Sequence, residues 1–174
     1  MQKLFLVLLS LCIMACNDDG LHHQSHEVTI EQLTLSVTSG QNGVVEPTQE
    51  EGKHSLHWKV ATENIDNRYI ASLYLSQDAV LDPVEDLKLI AQKLCTPNSG
   101  NLTSKFCASS SATCTYNNDM LLSCAFTSGD FSGNFSTSLS TFITVSEPFH
   151  YLIEACHFKA PEVCTTRSVQ VTFM

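Results

Sequence analysis

The sequence predicts an all-β domain built as two packed sheets. Three observations carry this: apolar and polar residues alternate over much of the chain, turn signals recur about every ten residues, and no window carries a clean helical stripe. Leu33, Leu35 and Val37 alternate with Thr34, Ser36 and Thr38, and Gln41-Asn42-Gly43 with Pro47 then marks a loop. Leu56, Trp58 and Val60 alternate with His57, Lys59 and Ala61. Tyr69, Ala71, Leu73 and Leu75 form a third strand that ends at Ser76-Gln77-Asp78. Further strands are expected over 120–126, 139–145, 149–158 and 165–173, the last with Val169, Val171 and Phe173 on one face. Residues 84–94 fit a helix through Val84, Leu87, Ile90 and Leu94, and equally a strand through Leu87, Leu89 and Ala91. About seven or eight short strands, no long helix and one tryptophan indicate a two-sheet sandwich, with Trp58 as core filler.

Ahead of the strands the chain carries an address. Lys3 precedes an apolar run from Leu4 to Met14, and the small residue Ala15 sits directly before Cys16. That is the layout of a secretory signal, 1–15, and the run is shorter than the roughly 20 residues a membrane-spanning helix needs. Ile13-Met14-Ala15-Cys16 resembles the bacterial lipobox, which implies acyl chains on Cys16 and a mature chain that begins there. Asn17 after the cysteine places such a lipoprotein in the outer membrane of the bacterial envelope. Residues 16–27 read as a polar tether, and 28–174 as the domain. His22, His23 and His26 in the tether have the spacing to share an ion, but a solvated tether is the plainer reading.

The remaining cysteines agree with an oxidising compartment. Cys95, Cys107, Cys114, Cys124, Cys156 and Cys164 form an even set and imply disulfides. Cys156 and Cys164 flank Pro161 at the tip of the last hairpin and pair with each other. The other four leave open Cys114–Cys124 with Cys95–Cys107, favoured by a turn over 116–120, and the nested Cys95–Cys124 with Cys107–Cys114. The segment 95–134 interrupts the apolar pattern and reads as a disulfide-stapled, cysteine-rich insertion. Being the least core-like part, it is where a contact surface is expected.

Charge and motif content exclude several functions. A formal net charge of −9, made more negative by loss of Lys3, repels phosphate backbones, so nucleic acid is not an expected partner. No nucleophile elbow, Walker loop, His-Glu-x-x-His or dinucleotide fingerprint occurs, and neither a cofactor nor catalysis is expected. The alternatives are a small exported hydrolase assembled from dispersed serines with His54, His57, His150 and His157, or a metal-handling protein using the tether histidines. Asp78, Asp82, Glu85 and Asp86 sit in one loop without the ligand order of an EF-hand and read as a solvated acidic turn. His54 and His57 point to opposite faces of their strand and cannot share an ion.

Two segments resemble the CARDB-type, immunoglobulin/fibronectin-III-like sandwiches of bacterial surface proteins. The stretch from Leu73 to Pro83 is similar to their strand followed by Ser-x-Asp and Asp-Pro. The stretches 151–156 and 164–171 are similar to their closing hairpin with two stapling cysteines, though Lys159-Ala160-Pro161-Glu162-Val163 replaces the usual acidic tip. The resemblance covers 28–94 and 137–173 and implies a non-catalytic adhesion or assembly module. Such a module would bind a protein or glycan partner while Cys16 holds the bilayer.

Overall fold

The computed structural model describes residues 27–38, 40–62, 68–95, 110–128 and 131–174. Ten strands form two sheets: β1 (Val28–Val37), β2 (Val44–Val45), β3 (His54–Thr62), β4 (Tyr69–Ser76), β5 (Leu87–Cys95), β6 (Ser110–Tyr116), β7 (Leu121–Ser128), β8 (Phe131–Ser138), β9 (Pro148–His157) and β10 (Cys164–Phe173). The front sheet runs β1-β3-β6-β7-β8 and the back sheet β2-β10-β9-β4-β5. The protein is an all-β, immunoglobulin-like two-sheet sandwich. All pairings are antiparallel except the short β2, which runs parallel to the end of β10. β10, β9 and β4 stand in the G-F-C order of immunoglobulin sandwiches, whereas β6, β7 and β8 follow one another as a simple meander.

Alternation places the core between the sheets. In β3, His54, Leu56, Trp58 and Val60 are buried while His57 and Lys59 are exposed. In β1, a break in register between Ile30 and Gln32 shifts the phase, so Val28 and Ile30 are followed inward by Leu33. Tyr69, Ala71, Leu73 and Leu75 of β4, with Phe149, Tyr151, Ile153 and Ala155 of β9, supply the facing layer. Val171 and Phe173 of β10 close it. Trp58 lies in this core at 3% exposure, as its place in the pattern requires.

Several elements differ from expectation. Residues 84–94 split into a turn and the strand β5. Residues 139–145 are not a strand: the amides of Phe142 and Ile143 both donate to the Leu139 carbonyl, and that turn buries Leu139 and Ile143. The alternation there serves a turn with two inward anchors. The cysteine-rich segment enters the sandwich itself, because β6, β7 and the first half of β8 lie within it and Ala112, Cys114, Tyr116, Leu122 and Cys124 join the core. The signal, Cys16, the tether with His22, His23 and His26, and residues 96–109 lie outside the described residues.

Candidate functional site

Both hairpin disulfides are formed. Cys114 of β6 stands opposite Cys124 of β7 and bonds to it, with Cα atoms 4.0 Å apart. Cys156 of β9 and Cys164 of β10 do the same across the last hairpin. The first bridge rules out the nested alternative. Cys95 appears here only as the backbone end of β5, and Cys107 is outside the described residues. Asn117 makes the β6–β7 turn: its Oδ1 accepts from the amides of Asp119 and Leu121, which brings the two cysteines into register.

The four histidines among the described residues do not converge. His57 is exposed, His150 half-buried, and His157 buried near the β9–β10 tip, where its Nδ1 accepts from the Lys159 amide. His54 is fully buried between the sheets. Its Nδ1–H donates to the Gly52 carbonyl at 2.8 Å, so Nε2 is the acceptor for the Tyr151 hydroxyl at 2.9 Å. Desolvation lowers the His54 pKa to about 4, against a smaller opposing pull from the Gly52 carbonyl. Burial likewise pushes the Tyr151 hydroxyl up. A neutral imidazole locked to a neutral phenol joins β3 of one sheet to β9 of the other. Tyr116, Tyr151 and Phe173 pack around it, with Phe173 at 4.9 Å from Tyr116 and 6.3 Å from His54 between ring centroids. Gly52 is required for this arrangement: its φ is +60°, and a Cβ there would run into the Tyr116 carbonyl. Its phase with Leu56, Trp58 and Val60 marks His54 as a core residue in the sequence, but the partnership with Tyr151 has no local signal.

The acidic loop between β4 and β5 spends its carboxylates on its own backbone. Asp78 Oδ1 accepts from the Val80 amide, Asp82 Oδ1 from Val84, and Asp86 Oδ2 from Asp82. Among the described residues, the cluster with metal-ligand spacing is instead Glu154, Cys156 and Cys164. Its two sulfurs are bonded to each other, which removes them as thiolate donors.

Among the described residues, the outer face of β6, β7 and β8 carries no charged side chain. From Phe106 to Ser146, the only Asp, Glu, Lys or Arg residues are Asp119 and Asp130. Register aligns Thr113, Ala125 and Asn134 in one row and Thr115, Ser123 and Ser136 in the next. Ser123 and Ser136 share a hydrogen bond of 2.8 Å between their hydroxyls. These residues line a shallow depression of ≈ 530 Å³. Asn134, which opens an Asn-x-Ser match ending at Ser136, lies on this face, and the second such match, Asn101-Leu102-Thr103, lies outside the described residues. The described part of the expected contact segment therefore presents an uncharged, hydroxyl-bearing sheet surface. No family model, curated protein or solved structure matches the chain.

Proposed function

We propose that this chain is an outer-membrane lipoprotein, held by acyl chains on Cys16, whose sandwich is a non-catalytic module that binds a protein or glycan partner. The observation that carries the reading is the uncharged face of β6–β8 in a chain of net charge −9. Desolvating hydroxyls and an amide costs far less than desolvating charges, so this is the surface on which a partner loses least by excluding water. Beneath this face the Cys114–Cys124 bridge ties two of its three strands. Resemblance to CARDB-type sandwiches supports an adhesion or assembly role.

In-situ cross-linking tests it. A photo-reactive amino acid at Ser123 is expected to capture a partner in intact envelopes, while the same group at the exposed His57 of β3 captures none. Equal or absent adducts at the two positions would reject the surface. Mass analysis of native material tests the anchor separately, the expected species starting at a diacylglyceryl-modified Cys16.

A further inference from the structure

The sandwich has four strand edges, and three are blunted. β1 breaks register between Ile30 and Gln32, and Arg167 Nη1 donates to the carbonyls of Ile30 and Glu31 at 2.9 and 2.6 Å. β2 has only two residues. β5 carries two register breaks against β4 and lysines at 88 and 93. Bulges, short edges and lysines are devices that stop sheets from adding strands. β8 has none of them: it pairs with β7 without a break from Phe131 to Ser138, and its sequence holds no charge and no proline. Among the described residues, no strand pairs with its outer side.

We infer that β8 pairs with β8 of a second copy of this chain, antiparallel about a two-fold axis through Phe135. The ladder fixes which groups are available. The 4.0 Å Cα separation of Cys114 and Cys124 marks a narrow, non-hydrogen-bonded pair, so the N–H and C=O of Cys124 point to β8. Its partner there is Phe135, whose own N–H and C=O therefore point back to β7. Asn134 and Ser136 turn theirs outward. Two-fold pairing sets Asn134 opposite the partner's Ser136 and keeps every side chain on its own face of the extended sheet. Phe135, half-buried against the core edge, meets its copy across the axis, where an aromatic cross-strand pair contributes. A copy fits better than a foreign strand for two reasons. The two-fold sets the Phe135 ring against its own copy and an amide against a hydroxyl, and the strip carries no charge, so two acidic molecules approach along it without juxtaposing charges.

The inference rests on reading β6–β8 as the contact surface, but not on the lipid anchor. Sedimentation velocity of the full chain in density-matched detergent, together with amide hydrogen exchange, tests it. The expected result is a monomer–dimer equilibrium in which the Asn134 and Ser136 amides slow by about tenfold with concentration. Ser136→Pro removes an N–H that the lone sandwich does not use and is expected to weaken dimerisation by about tenfold or more. Monomer at every concentration, or a dimer in which these two amides exchange unchanged, would overturn the inference. Should Ser136→Pro not fold, exchange in the unmutated chain still decides. A monomeric chain that is cross-linked to another protein at Ser123 would retain the binding face and reject only the self-pairing.

Discussion

The centre of the sandwich around His54 and the meander of β6–β8 are held together by different means. At the centre, large rings and one directional polar link join the two sheets: His54, Tyr151, Phe173 and Tyr116 interlock, and both imidazole nitrogens are bonded. In the meander, the small inward residues Ala112, Cys114 and Cys124 stand beside Leu122 and Tyr116, and the strand ladder and a disulfide join their packing in holding it. The difference teaches where function has room. A centre that spends its polar groups on itself offers nothing to a partner. A meander that needs little from its side chains leaves a whole face free to be shaped.

The sharpest way to break the comparison is to remove the ring common to the central contacts. Phe173→Ala empties a fully buried site against His54, Tyr116 and Tyr151 and is expected to cost about 4 kcal/mol. Urea unfolding reads this as a lower midpoint at constant slope, and a loss below about 1 kcal/mol would show that the rings do not hold the centre.

Acid tests the same region through its proton. The native His54 holds its pKa near 4, well below the ordinary 6.5, so between those values the unfolded chain binds a proton that the folded chain refuses. Stability is therefore full above about pH 6.5 and falls as pH drops toward 4, by about 3 kcal/mol from this group. Unfolding free energies measured across that window should show the slope, and His54→Asn should remove it. An unchanged slope in the variant would assign acid sensitivity elsewhere.

These two regions were unequally legible in the sequence. The centre announces itself by period: His54 is in phase with Leu56, Trp58 and Val60, and Tyr151 with Phe149 and Ile153. Their partnership is not local, since the residues lie 97 positions apart and the contact depends on the left-handed backbone at Gly52. The meander lacks the apolar amplitude that periodicity needs. β6 has only Ala112, Cys114 and Tyr116 facing in, and the sequence of β8 offers Phe131 and Phe135 in eight positions. An apolar count therefore reads most of the stretch as an insertion, with only 120–126 standing out as a strand, whereas a few inward residues between Ala112 and Cys124 suffice when a disulfide and neighbouring strands join them. Residues 139–145 err the other way, because alternation there reflects the two anchors of a turn. The cysteines stayed readable because a hairpin turn sets its flanking residues opposite each other whatever the side chains around them.

Reliance on the bridge gives the next test. Replacing Cys114 and Cys124 together by alanine frees a loop with a sequence separation of 10, and the expected loss is about 2–3 kcal/mol. Removing Cys156 and Cys164, separated by 8, releases a similar loop, but at the exposed tip of a hairpin whose strands are already packed. The comparison predicts that only the first change weakens protection of the β6–β8 amides. Equal loss of protection at both sites in hydrogen exchange would mean that the meander does not depend on its own staple.

The smallest effect bears most directly on function. Ser123 and Ser136 share a hydrogen bond on an exposed face, where water competes with each hydroxyl and the net contribution is about 0.5 kcal/mol or less. Ser123→Ala and Ser136→Ala, alone and combined, should leave the unfolding midpoint almost unmoved, and the double-mutant cycle should return a coupling energy near zero. Partner capture at that face should respond to the same substitutions far more than stability does. A coupling energy above about 1 kcal/mol would show instead that the hydroxyl rows are part of what holds the meander together, and the contrast between a self-contained centre and an unspent face would fail.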